Sequence, residues 1–227
     1  MLSSLIFIGT YWFSQYKYGK KNKLRVDINY SKPPLLLNDS LVNKLLTQNL
    51  STKFSLQKDS LDLNILEIKM NKIPEVENTE IFLLPDGVMS ILITDRKPLF
   101  KFDSTPSVYS DANGVLFNFN NIDSVPYPKF KTTSSNISIE TTALLIKNLK
   151  ADPFLSEELK SVRLNDNQYQ LKLKSFDFKI IFGSTDRIKE KIKKLKVFCA
   201  FQTLQDSLNH FKKINLSYKN QVVASTP

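Results

Sequence analysis

Apolar and polar positions alternate along this chain in several distinct rhythms, and each rhythm predicts an element. Leu2 to Phe13 (LSSLIFIGTYWF) is uncharged and mostly apolar. As a helix it would span roughly 18 Å, short of a hydrocarbon core of roughly 30 Å. Continuing through Tyr18 adds Tyr16 and Tyr18 to Tyr11 and Trp12, a set suited to an interfacial aromatic belt. Leu5, Ile6, Phe7, Ile8, Trp12 and Phe13 are therefore the expected membrane-anchoring residues, with a buried or amphipathic first helix as the other reading. A cleavable signal peptide fits less well, because no basic residues precede the run and no small-residue cleavage site follows it.

Leu24 to Tyr30 (LRVDINY) alternates as a strand does, and Pro33-Pro34 ends it. Asn38, Asp39 or Ser40 can cap a helix bearing Leu41, Val42, Leu45 and Leu46 on one face. A second helix is expected from Ser60, with Leu61, Ile65 and Ile68 at helical spacing, stopping before Pro74. Two strands follow, Val76–Leu84 and Val88–Arg96, joined by Pro85-Asp86-Gly87, where Pro fixes φ and Gly accepts a positive one. The order is β-α-α-β-β.

The remainder reads as a mixed β region. Tyr109 to Phe119 holds the tight-turn sequence Asp111-Ala112-Asn113-Gly114 between strand-like flanks. A polar stretch, Lys131 to Ser138, separates it from a helix near Glu140–Lys150. Three strands are expected at Leu159–Leu164, Gln168–Lys174 and Asp177–Phe182, with turns at Asn165-Asp166-Asn167 and Gly183. A long helix from Thr185 to Asn209 and a last strand over Ile214–Val223 complete the pattern. In that strand Ile214, Leu216, Tyr218 and Val222 share one face; Asn215, Ser217, Lys219 and Gln221 share the other. A strand at a sheet edge leaves backbone groups unpaired and can accept a partner's strand.

Charge and composition change this picture in three ways. Lys and Arg number 32 against 22 Asp and Glu, a formal +10 that favours anionic partners. The lysines are scattered and no reading motif accompanies them, so nucleic acid is disfavoured as that partner. One His (His210) and one Cys (Cys199) exclude a structural zinc site and an internal disulfide. With five glycines there is no phosphate-cradling loop and no nucleophile elbow, so no enzyme activity, small-molecule substrate or cofactor is expected. Finally, Lys17, Lys20, Lys21, Lys23 and Arg25 all follow the first apolar run. Read literally, the positive-inside rule would put the body in the cytoplasm. An extracytoplasmic body then requires a late start, with a basic cytoplasmic tail upstream of Met1.

In the long helix, Ile188, Ile192, Leu195 and Cys199 form an apolar stripe, which leaves Lys189, Lys191, Lys193, Lys194 and Lys196 mostly as a solvated face or, alternatively, an anion-binding one. Cys199 on that stripe is expected to act as a small hydrophobe rather than a reactive thiol. His210, at the helix C-terminus, suits the helix dipole or solvent.

An ordered set of motifs resembles one family. Pro74-Glu75-Val76, Asp86-Gly87 and Arg96-Lys97-Pro98 resemble the POTRA domain of the FtsQ/DivIB cell-division proteins. Tyr109 to Leu116 (YSDANGVL) is similar to that family's hairpin. Ile180-Ile181-Phe182-Gly183 is similar to its strand end before a Lys-rich helix, and Ile214 to Val223 (INLSYKNQVV) to its closing strand in the style of Bacteroidota. The resemblance implies an α+β chain: a membrane anchor over 1–18, a basic linker over 19–23, a POTRA domain over 24–98, a β domain over 99–223 with a long helix against an antiparallel sheet, and a tail over 224–227. It further implies a non-catalytic divisome scaffold in the inner membrane at the septum, its body in the periplasm. FtsB- and FtsL-like partners, with FtsK, FtsW and FtsI nearby, would be bound chiefly by strand addition through Asn215, Ser217, Tyr218, Lys219, Asn220, Gln221 and Val222. Two other classes stay open: another POTRA-bearing transport or assembly factor, and a basic nucleic-acid-binding protein.

Overall fold

The computed structural model describes residues 8, 10–13, 25–34, 36–37, 40, 42, 44, 62–118, 126–133, 137–204 and 211–226. The chain divides into two compact units, Met1–Arg96 and Lys97–Pro227. The expected first helix is described only at Ile8 and from Thr10 to Phe13, and the next only at Ser40, Val42 and Lys44; all of these are helical. Leu5, Ile6, Phe7, Asn38, Asp39, Leu41, Leu45, Leu46 and His210 lie outside the described residues. No helix of the described residues is long and apolar enough to cross a membrane.

In the first unit, β1 (Arg25–Tyr30), β2 (Val76–Leu83) and β3 (Val88–Asp95) form a sheet in the order β1-β3-β2. β1 runs parallel to β3, from Arg25 opposite Val88 to Tyr30 opposite Ile93. Such a pair requires a crossover, and helix α1 (Leu63–Asn71) lies within it. β3 keeps strict alternation and buries Met89, Ile91 and Ile93. β2 is bulged between Val76 and Asn78, which lets Val76, Thr79 and Ile81 all face inward.

Asp62 caps α1 by accepting from the Ile65 amide at 3.1 Å. The face of α1 differs from the expected one. Leu66 and Met70, four residues apart, are buried, whereas Ile65 and Ile68 are exposed. Both spacings are helical, so periodicity alone leaves the choice of face open. Glu67, on the next turn, accepts from the Ile81 amide of edge strand β2 at 2.7 Å, which fixes the helix with Leu66 inward.

Arg96 joins two of the motifs into one device. Its backbone amide donates to Glu75 O, its Nε to Pro74 O and its Nη2 to Val76 O, the last two at 2.6 Å. The guanidinium thus satisfies carbonyls at the entry to β2 while itself only 8% exposed.

The second unit is a nine-stranded sheet among the described residues. Its strands are β4 (Phe100–Phe102), β5 (Val108–Ser110), β6 (Leu116–Asn118), β7 (Lys129–Thr132), β8 (Leu159–Asn165), β9 (Gln168–Leu173), β10 (Lys179–Gly183), β11 (Lys213–Asn215) and β12 (Val223–Ser225). Their order is β12-β11-β10-β9-β8-β7-β4-β5-β6. The sheet is mixed rather than antiparallel: β4 with β7, β7 with β8, and β10 with β11 run parallel. The polar stretch from Lys131 accordingly begins inside a strand, with Lys131 opposite Arg163 and Thr132 opposite Leu164.

Helices α2 (Ile139–Lys150), α3 (Pro153–Glu158) and α4 (Ile188–Leu204) cover one face. Inward residues of the sheet, including Phe130, Val162, Leu171, Ile180, Phe182 and Ile214, pack with Leu145, Ile146, Leu149, Leu195 and Cys199 into one core. Ser138 caps α2 by accepting from the Thr141 amide. Gly114, at φ +85°, ends the hairpin turn so close to this cap that a Cβ would stand 2.9 Å from the Glu140 nitrogen.

Candidate functional site: the C-terminal sheet edge and helix α4

The single strand expected over Ile214–Val223 is two short strands, β11 and β12, with a turn at Tyr218-Lys219-Asn220. Asn215 breaks the alternation by accepting from the Ser217 amide at 3.0 Å, an Asx-type turn that competes with strand pairing. Asn220 completes the reversal at φ +59°, a conformation Asn tolerates. Lys213, Ile214 and Asn215 then pair antiparallel with Ser225, Ala224 and Val223.

Consequently Ile214 and Leu216 are buried, but Tyr218 leaves the core face assigned by alternation and stands 48% exposed. The strand at the sheet edge is β12. Its outer side borders no strand among the described residues.

The loop that links β11 to the turn is held by cations of α4. Lys194 Nζ donates to Tyr218 O at 2.6 Å and to Leu216 O at 3.2 Å. Arg187 Nη2 donates to Ser217 O at 3.0 Å. Three consecutive carbonyls are thereby satisfied by side chains rather than by a neighbouring strand. Glu190 lies 3.1 Å from Lys194, and its carboxyl is held below the usual range by that lysine, despite partial desolvation, with the Asn220 amide adding to the effect.

Lys191 departs furthest from the expected solvated face. Its side chain is fully buried, 2.6 Å from Asp186 and 2.8 Å from the carbonyl of Ser184, with the ammonium 5.2 Å above the Phe182 ring. Bonds from Lys191, Ser184 and Arg187 hold the Asp186 carboxyl well below its usual range. These contacts also explain why α4 starts at Ile188 rather than Thr185: residues 184–187 form a turn, with Arg187 at φ +47°. Lys189 and Lys193 are exposed, and Lys196 pairs with Asp152 at 2.7 Å.

Beside the turn lies a shallow groove of about 350 Å³, lined by Lys193, Lys194, Val197, Phe201, Gln221 and Val222 among others. Of the expected contact residues, Asn220, Gln221 and Val222 line it, and Tyr218 sits in the adjoining turn. Asn215 and Ser217 are engaged with each other instead. Val197 and Phe201, 63% and 48% exposed, were not expected as contact residues. Their signal is in the sequence: they form an i, i+4 apolar pair off the stripe of Ile188, Ile192, Leu195 and Cys199.

Cys199 is buried, and desolvation pushes its thiol up to about 12. Among the described residues, no three of His, Cys, Asp and Glu gather into a group that could hold a metal.

No curated protein matches the chain. A known family does match, described as FtsQ/DivIB, C-terminal related, and it does so over residues 97–225, which contain every strand from β4 to β12 and all of the α4 groove. Because the match spans more than half of the 227 residues and agrees with the motif order, the protein belongs to the FtsQ/DivIB family.

Proposed function

We propose that the protein is a non-catalytic scaffold of the division septum that receives a partner segment at the β12 edge and the adjoining α4 groove. Membership in the FtsQ/DivIB family supports a role in cell division with protein partners. The observation that carries the finer reading is the pairing of an open strand edge with an exposed apolar groove. A partner strand added to Val223–Ser225 would gain main-chain bonds, and a side chain or helix continuing from it would cover Val197 and Phe201. An FtsB-like protein is the partner of choice, with FtsL, FtsK, FtsW and FtsI as further neighbours.

The unit over Met1–Arg96 serves in this reading as a POTRA domain, supported by its β1-β3-β2 sheet with a crossover helix. The chain is held to the inner membrane by its first segment, with the body in the periplasm. Exposed Ile8, Tyr11, Trp12 and Phe13 on one helical stretch support that anchor. A fluorescent fusion of the full chain tests the reading in dividing cells. A mid-cell band is expected, and a uniform cytoplasmic signal contradicts it.

A further inference from the structure

The face of the nine-stranded sheet turned away from the helices carries a line of lysines that crosses the strands. Lys101 of β4 faces Lys129 of β7, which faces Ser161 of β8, which faces Lys172 of β9. The antiparallel register of Ile180 with Leu171 sets Lys179 of β10 beside Lys172, and Lys179 faces Lys213 of β11. Residues paired in this way point to the same side of a sheet. Lys129, Lys172, Lys179 and Lys213 are exposed, Lys101 is half-buried over the Tyr109 ring, and among the described residues none of the five has a carboxylate at ion-pair distance.

Three of these contacts, Lys101 with Lys129, Lys172 with Lys179 and Lys179 with Lys213, are direct cross-strand like-charge pairs, an arrangement that costs stability. A neighbouring row repeats the sign, with Lys131 facing Arg163. The carboxylates lining the grooves of this face are Asp103, 3.9 Å from Lys131, and Asp177.

We infer that this face is a second docking surface, separate from the β12 edge, for an acidic peptide segment of a protein partner. The charge pattern calls for an anion, and the relief of the surface selects the class. A groove of about 370 Å³ lies over β7 and β8, with Pro126, Tyr127 and Leu159 in its lining and Lys129, Lys131 and Arg163 along it. A peptide can lower apolar side chains into such a groove while its carboxylates meet the lysines. A bilayer surface would meet the lysines alone and leave the recessed apolar lining of the groove unused. A single-stranded nucleic acid calls for a series of aromatic rings open to stacking, whereas on this face Tyr109 is buried and Tyr127 is only half-exposed.

The test is fluorescence anisotropy on the full chain at low ionic strength, with a labelled peptide of repeating Glu-Glu-Val as probe. Binding is expected, weakening with salt. The triple variant Lys129→Gln, Lys172→Gln, Lys179→Gln should weaken it roughly tenfold. Lys72→Gln, Lys147→Gln, Lys189→Gln removes as many exposed charges elsewhere and should leave it unchanged. Because the row carries like-charge repulsion, the first variant should also unfold at a higher urea concentration, which separates lost binding from lost fold. Absence of binding, equal weakening in both variants, or a preference for phosphatidylglycerol vesicles or oligothymidylate over the peptide would overturn the assignment.

Discussion

Lys194 reaches from helix α4 to the carbonyl of Tyr218 at 2.6 Å and so, with the Asn215 side chain, fixes where the C-terminal strand breaks. The same ammonium bonds Leu216 O and lies 3.1 Å from Glu190, within a side chain that is 13% exposed. Replacing it leaves two carbonyls without their donor and Glu190 to the Arg187 guanidinium, 3.4 Å away. Lys194→Met is expected to cost roughly 1–2 kcal/mol. Amide exchange should accelerate at residues 216–222 before it does in β8 and β9. Uniform acceleration across the sheet would contradict a local clamp.

Gly183 closes β10 at φ +77°, and a Cβ there would stand 3.0 Å from the Cβ of Ser217. Both the backbone conformation and the close approach disfavour a side chain. Gly183→Ala should lower stability by roughly 1–2 kcal/mol from the left-handed conformation alone, with a further cost for displacing the 216–218 loop. Urea denaturation of the two proteins measures the difference.

Asp186 titrates below its usual range because Lys191, Ser184 and Arg187 bond to its carboxylate. A depressed folded value contributes stability above the unfolded value of about 3.9 and loses it as pH falls through the folded one. Asp186→Asn should therefore destabilise the protein at neutral pH. The expected loss is on the order of 1 kcal/mol rather than a fully buried pair's value, because Asp186 is half exposed and Ser184 O still accepts from Lys191. The gap between wild type and variant should shrink as pH drops below about 4. A gap independent of pH would contradict the ionic assignment.

Cys199 should resist modification, since its thiol is buried and shifted up to about 12. Labelling by a thiol reagent at pH 8 is expected to follow unfolding and to accelerate with denaturant. Rapid labelling of the native chain would contradict this packing.

Elements with sustained periodicity were legible in the sequence. β3 and β9 alternate over six or more residues, β8 alternates from Ser161 to Asn165 beyond a bulge, and α2 carries a capped apolar face. β4 and β7 were not, because strands of three and four residues give too few periods and they pair with each other in parallel from places far apart in the chain. The break at Tyr218 was hidden for a different reason. Alternation through Ile214, Leu216 and Tyr218 is genuine in the sequence, and only the Asn215 side chain and the cations of α4 redirect it. Lys191 illustrates the same limit. It falls four residues before Leu195 on the apolar stripe, yet a lysine there reads as solvated unless Asp186 and the Ser184 carbonyl are known to receive it. For the candidate site, the C-terminal segment was readable, whereas Val197 and Phe201 needed the fold to bring them beside Val222.

The central claim is that the β12 edge and the α4 groove together receive an FtsB-like partner. Isothermal titration of the chain with the periplasmic segment of the FtsB-like protein from the same organism tests it most directly, alongside the variant Val197→Asp, Phe201→Asp. Both side chains are already solvent-exposed, so the variant should keep its fold. Saturable binding by the wild type and a loss of at least roughly tenfold in the variant are expected. Equal affinity in the two proteins, or no binding by either, would contradict it.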